Sequence, residues 1–388
     1  MILRVNALRP RRHSLPADHR QQSINKLLFG SDLTGEAWLD VRAAAGHNCL
    51  RALKGGAASA TGLETSPALL RCARDAAGEL EDRLQFIRAD FEHWNAPTKS
   101  YDVVLCLRAL QHWYDPISAI RKLMALARKR FYLEVPVTRW AERPTALLGV
   151  TNAPMILIGN PRKAIRAADA AFSFTRKSLE LIINGHSKAY EPVRFHPAAT
   201  PGGWIAEARR RQIDHLVVLG GVSGSGKSTL IKGLDQQTLR TRLGIEDDFR
   251  VVSAGEIDSL CEGPISTLVY HYDLMRPFNR SIESHDRDPA FHLLSCAKRI
   301  TRITLAADHN VLRNRVLGRK GRRKPRDRKS LLVQQYENPT FLADWYEAWL
   351  EATDRHMVQI GDRSIFLLSD GGYAHLPDRA SLLRLFAA

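Results

Sequence analysis

From residue 36 to residue 137, short apolar runs alternate with stretches whose apolar residues return every three to four positions. Five of these runs predict strands: Ala37–Val41, Ala60–Leu63, Gln85–Ile87, Val103–Leu107 and Phe131–Val135. Strand followed by amphipathic helix, repeated, predicts a parallel sheet covered on both faces, because each crossover helix buries its apolar stripe on the sheet it spans. The alternation resumes after residue 212. Ile213–Leu219, Phe249–Ser253, Ser266–Asp273, Ile300–Leu305 and Ile365–Leu368 read as strands, with helical patterns at Leu230, Ile231 and Leu234 and around Trp345–Trp349. The expected fold class is α/β in two domains, each a mostly parallel sheet with helices on both faces.

Between the two alternating tracts lie Pro144, Pro154, Pro161, Pro192, Pro197 and Pro201, which punctuate the chain. Ser173–Ile183 reads as a helix with a threonine start signal at Thr175, and Ala189–His196 as a late strand of the first domain. Pro201-Gly-Gly203 and the arginine-rich Ala206–Arg211 read as the junction. The expected division is a loosely ordered basic lead-in over 1–30, a first domain over 31–207 and a second over 208–388. A chain of 388 residues is long enough to bury two cores.

Charge narrows the partners without choosing among them. Fifty-seven Lys+Arg against 41 Asp+Glu leave +16, which favours nucleotides, nucleic acids and other polyanions. Cys49, Cys72, Cys106, Cys261 and Cys296 are scattered and odd in number, with no C-x-x-C spacing, so neither a zinc knuckle nor a disulfide framework is expected. The basic start, Met1–Arg12, is not followed by the apolar run of a secretory signal. The longest apolar stretch, Ala146–Gly159, is interrupted by Asn152 and Pro154 and falls short of the roughly 20 residues that span a bilayer. A cytoplasmic, soluble protein without a membrane partner is the expectation.

The sharpest chemical signal follows the strand Ile213–Leu219. Gly221, Gly226, Lys227 and Ser228 satisfy G-x-x-x-x-G-K-[ST], the phosphate-binding loop, and the motif stands between a strand and a helix as its mechanism requires. Glycines let the backbone curl so that amides of Gly221, Ser223, Gly224, Ser225, Gly226 and Thr229 gather around a polyphosphate at a helix start. In that arrangement Lys227 reaches the β- and γ-phosphates and the Ser228 hydroxyl takes one position on Mg²⁺. Asp273 ends a predicted strand, where a carboxylate holds the metal's water shell opposite Ser228. ATP and Mg²⁺ are the expected ligands.

The first domain resembles the class I S-adenosylmethionine-dependent methyltransferases over residues 36–137. Trp38-Leu-Asp-Val-Arg-Ala-Ala-Ala-Gly-His-Asn48 stands where that family has its strand-ending Asp and glycine loop, and Gly62-Leu-Glu-Thr-Ser-Pro67 where it carries the acid for the ribose hydroxyls. Ile87-Arg-Ala-Asp-Phe91 resembles the adenine-side acidic position, and Tyr101–Trp113 the fourth strand with its following helix. The resemblance implies S-adenosylmethionine as cofactor, held by Asp40, Gly46, Glu64 and Asp90. The family loop D-x-G-x-G-x-G carries Arg42 and Ala44 in place of its first two glycines here, so a bulky cation occupies the path of a positively charged sulfonium. A degenerate pocket is one expectation, an active methyltransferase the other.

Residues 213–388 resemble the small-molecule and nucleotide kinases. The chain has no N-K-x-D segment of a GTPase, and the Lys227-Ser228 ending separates the loop from that of sulfotransferases. The resemblance implies an ATP-dependent phosphotransferase acting on a hydroxyl of a small metabolite or carbohydrate. In such kinases a lid after the fourth strand supplies arginines, and the basic run Asn310–Lys329 starts with Arg313 and Arg315, which neutralise a transferring phosphoryl group in that reading. Asp247, Asp248 and Glu256 are the acids placed to orient or deprotonate the acceptor, with Asp248 the chosen one. An RNA-end-modifying kinase and methyltransferase is the rival class, motivated by the charge; the basic run lacks interleaved aromatics. A nucleotide-gated scaffold without turnover is the third.

Overall fold

The computed structural model describes residues 17–136, 154, 156–158, 172–199, 203–260, 262–275, 285–317 and 338–386. The chain divides into two compact units, Met1–Ile183 with Val193–Arg209, and Asn184–Pro192 with Arg210–Ala388.

The first unit opens with α1 (Ala17–Phe29), inside the stretch the sequence reads as a loose lead-in. Ile24, Leu27 and Leu28 recur at helical spacing; Ile24 and Leu28 are buried, and Phe29 stacks on Trp38 with ring centroids 5.5 Å apart. Then come β1 (Ala37–Asp40), α2 (His47–Lys54), β2 (Ser59–Glu64), α3 (Pro67–Asp75), β3 (Leu84–Arg88), β4 (Tyr101–Leu107), α4 (Pro116–Leu126) and β5 (Ala127–Pro136). Both α3 and α4 start on a capping side chain followed by proline: Ser66 Oγ accepts from Leu69 N and Asp115 Oδ1 from Ser118 N. Val103 to Cys106 are all buried, as a strand covered on both faces demands.

A short pair, β6 (Ile156–Ile158) with β7 (Phe172–Phe174), takes Ser173 and Phe174 out of the predicted helix. That helix is α5 (Arg176–His186), and Thr175 does start it, its Oγ1 accepting from Ser178 N at 3.2 Å. The late strand is shorter than predicted, β8 (Arg194–Pro197). Tyr190 instead bridges to Arg210 within the second unit, with the Arg210 guanidinium over its ring. The predicted junction is largely a strand, β9 (Gly203–Arg209), antiparallel to both β5 and β8. Its buried Ile205, Ala206, Glu207 and Ala208 sit between two neighbours, so pairing overrides the turn-like Gly-Gly and arginines. The sheet order is β3-β2-β1-β4-β5-β9-β8.

In the second unit, β10 (Ile213–Gly221) is followed by α6 (Lys227–Gly233), α7 (Gln237–Leu243), β11 (Phe249–Ser253), β12 (Ile265–Asp273) and β13 (Ala297–Ala306). After these come α8 (His309–Leu317), α9 (Pro339–Asp354), β14 (Arg363–Leu368), β15 (Ala374–Leu376) and α10 (Arg379–Arg384). The order is β11-β12-β10-β13-β14-β15, parallel except for β15. One face packs Val217, Leu219 and Val269 against Leu230 and Leu234; the other packs Val218, Tyr270 and Tyr272 against Phe291 and Trp349. Residues 318–329 of the predicted lid lie outside the described residues.

Both sheets place a crevice at their centre. The chain leaves β1 toward β2 but leaves β4 toward β5, and likewise leaves β10 toward β11 but β13 toward β14. Where successive connections diverge in this way, the carboxyl ends of the strands part and leave room for a ligand. No described helix is long and apolar enough to cross a membrane.

Candidate functional site

In the second unit Gly221 ends β10 level with Asp273 at the end of β12. The chain then turns at the carboxyl end of this inner strand to reach α6. Gly224 and Gly226 hold φ of 92° and 93°, which a Cβ disfavours. A Cβ on Gly224 would also stand 3.3 Å from Val316 on α8. Gly221 is needed for a different reason: a Cβ there would lie 2.6 Å from the Leu305 carbonyl oxygen of β13. Gly226 caps α6 without a side chain, which leaves the first amides of the helix to solvent or a ligand.

Lys227 is nearly buried and donates to the Gly221 and Val222 carbonyls at 2.5 and 2.8 Å, while its Nζ lies 3.8 Å from Asp273 Oδ1. Ser228 and Thr229 are exposed. Ser225 is fully buried beneath the loop. A cavity of about 770 Å³ gathers Ser223, Gly224, Gly226, Lys227, Ser228 and Thr229 with His271, Asp273, Arg315, Ser369, Gly371, Gly372 and Tyr373. Arg315 donates from Nη1 to Gly224 O at 3.2 Å and Ser369 Oγ at 2.8 Å, and from Nη2 to Ser369 O at 2.5 Å. Arg313 is not among the residues lining the cavity.

Asp248 is placed wrongly for an acceptor base. It is exposed and precedes the amino end of β11, where Phe249 is level with Thr267 and His215. That is six residues from the level of Gly221 and Asp273, about 20 Å along parallel strands. The parallel sheet expected from the strand–helix alternation already sets that end, since Asp248 precedes the strand Phe249–Ser253 and Glu256 follows it. Asp247 is held by Arg240. Glu256 follows the carboxyl end of β11 and accepts from Ser253 N and Oγ at 2.9 and 2.8 Å. His271, two positions before Asp273 and therefore on the same face of β12, also lines the cavity. Burial, then the Lys227 charge, hold its imidazole below the ordinary histidine range. Sequence reasoning passed over His271, although a histidine inside an apolar strand was its signal, and over Ser369-Asp-Gly-Gly372, a turn directly after a strand.

In the first unit Asp40 is buried at the end of β1, accepting from Arg42 N at 3.2 Å and Asn48 Nδ2 at 2.9 Å; burial raises its pKa. It braces the loop. Ala44 N donates to Glu64 Oε2 at 3.1 Å, and Glu64 Oε1 accepts from Thr65 N and Ser66 N, each at 2.9 Å, tying the loop to β2. Gly46 has φ 78°, and a Cβ there would reach 2.4 Å from the Phe86 ring, so this glycine serves packing. Arg42 Nη1 donates to Arg108 O at 2.6 Å, spanning from the end of β1 to the end of β4. Arg42, Glu64 and Asp90 meet Phe91, His112 and Trp113 around a cavity of about 250 Å³, which neither Asp40 nor Gly46 lines.

A family model described as a methyltransferase domain matches residues 39–130. A methyltransferase-like domain is present. Among solved structures, an S-adenosylmethionine-dependent methyltransferase from Mesorhizobium loti is 20% identical, with 50% of this chain and 100% of that one covered, at a TM-score of 0.38. Magnesium protoporphyrin IX methyltransferase from Synechocystis, with S-adenosylhomocysteine bound, is 18% identical over 50% of this chain and 82% of its own, at 0.36. A similar protein from Listeria monocytogenes gives 14%, 50% and 99%, at 0.37. No curated protein matches the chain.

Proposed function

We propose that the chain is a transferase in two parts. The methyltransferase-like domain, the part the family match supports, takes S-adenosylmethionine or its demethylated product in the cavity beside Glu64 and Asp90. The second unit transfers the γ-phosphoryl group of ATP to a hydroxyl of a small metabolite or carbohydrate, in the manner of a P-loop kinase. One observation carries this second part: the loop Gly221–Ser228, the strand-ending Asp273 and Arg315 converge on one cavity at the divergence of β10 and β13.

In this reading the loop amides and Lys227 bind the phosphates, Lys227 exchanging its carbonyl partners for phosphate oxygens. The acceptor oxygen bonds to the γ-phosphorus, the bond from that phosphorus to the β-bridging oxygen breaks, and the acceptor proton passes to a base. Glu256 and His271 are the groups at the correct end of the sheet for that base. Arg315 offsets charge on the moving group. The Ser228 hydroxyl and the part-exposed Asp273 carboxylate are hard oxygen donors suited to Mg²⁺, which supplies further charge neutralisation.

Lys227→Ala tests the phosphoryl half. Mg·ATP should raise the melting temperature of the parent and not of the variant, and ATP turnover should vanish; a variant that hydrolyses ATP like the parent overturns the assignment. Calorimetric titration of the full chain with S-adenosylmethionine and S-adenosylhomocysteine tests the other half, and heatless titrations with both reject it.

A further inference from the structure

Arg315 is aimed by the segment that follows β14. At its root α8 is anchored by Asp308, whose backbone amide donates to Asp370 Oδ2 at 3.0 Å and whose Oδ1 accepts from Asn310 N at 2.8 Å. Near its tail the helix is anchored again, by the two donations from Arg315 to Ser369. Ser369 is itself fixed, its amide donating to Ala306 O at 2.9 Å, and only 6% of it is exposed. The helix is therefore strapped to one short segment at both ends, and Arg315 also reaches the loop through Gly224 O. A long, rotamer-rich guanidinium is thereby given one direction, across the mouth of the loop, before any ligand arrives.

We propose that Ser369 is a positioning residue that sets selectivity for a nucleoside triphosphate over a diphosphate by holding Arg315 where the terminal phosphate lies. The inference rests on the phosphoryl-transfer reading. Ser369 Oγ is one of three oxygens that fix the guanidinium, with Ser369 O and Gly224 O. An arginine so held meets the phosphate group farthest from the nucleoside without first losing its side-chain entropy. Removing the hydroxyl leaves Nη1 with the longer contact to Gly224 O alone, while Nη2 keeps the Ser369 carbonyl, so the guanidinium can pivot about that one short bond and its Nη1 edge loses its fixed direction.

The test titrates the full chain calorimetrically with the Mg complexes of ADP and of adenylyl imidodiphosphate, a triphosphate whose terminal group is not transferred. Ser369→Ala should weaken the triphosphate analogue about tenfold, as loss of one charged hydrogen bond allows, and leave ADP within about twofold. Ser369→Thr, which keeps the hydroxyl, should restore the difference. Added to Arg315→Ala, Ser369→Ala should cost nothing more, because both act through one contact. Unchanged affinity for the analogue in Ser369→Ala overturns the inference, and so does equal weakening of both nucleotides, which marks a merely structural loop. A parent chain that binds neither nucleotide sinks the phosphoryl reading itself, and this inference with it.

Discussion

Ala44 sits at φ 48°, in the left-handed region where a Cβ costs about 1–2 kcal/mol, and two residues away Arg42 spans the crevice to Arg108 O. Arg42 also lines the cavity that holds Glu64 and Asp90, which measures only about 250 Å³, near the lower limit of ligand pockets. Ala44→Gly should relieve backbone strain and stabilise the protein by up to about 1 kcal/mol, read as a raised urea midpoint. Arg42→Gly with Ala44→Gly should tighten S-adenosylmethionine binding at least about tenfold in calorimetry, since a like charge and its bulk are removed together. Micromolar binding by the parent, unimproved in the double variant, would refute the obstruction. Gly46→Ala makes the opposite prediction. Its Cβ meets the Phe86 ring at positive φ, so a loss of about 1–3 kcal/mol should appear in chemical unfolding.

Helix α9 shows what one element contributes. Trp349 is fully buried, stacks on Tyr272 at 5.1 Å and donates to Thr304 Oγ1, while Gly220 lies so close that a Cβ there would be 2.5 Å from the indole. This aromatic layer supports β10 and β12 from the face opposite α6, and those two strands carry Gly221 and Asp273. Trp349→Ala should therefore cost about 3–5 kcal/mol, measured by urea denaturation of the full chain, and weaken nucleotide binding as the strand ends lose their support. A variant with parental stability would show that the ring is not part of the core. On the sequence, Trp345-Tyr-Glu-Ala-Trp349 is readable as a helix with buried aromatics. The strand it lies against is not readable, because contact across 45 residues leaves no local trace.

At the scale of the whole molecule, acid is the informative stress. His215 and His285 are buried in the second unit, and desolvation first of all pushes each from 6.5 down to about 4. Unfolding restores the ordinary value, so the unfolded chain binds more protons between those pH values; stability present above pH 6.5 is lost as pH falls toward 4, by up to about 3 kcal/mol per histidine. The melting temperature of the full chain should fall on going from pH 7 to pH 5, and a flat profile would contradict this burial. The sequence by itself determined the α/β alternation, the ten principal strands and the loop from Gly221 to Ser228, because hydrophobic period and glycine placement are local properties. It carried α1 in the spacing of Ile24, Leu27 and Leu28, hidden among arginines. Tertiary structure alone decided that Gly203–Arg209 is an inner strand and not a junction, since only its partners β5 and β8 outweigh the local turn signals. The order of the chain had already put Glu256 after β11 and Asp248 before it, and the parallel pairing of β11 with β12 agrees with the alternation. Tertiary structure alone also brought Ser369 against Arg315, 54 positions away, because a contact between a helix and the turn after a later strand leaves no local trace.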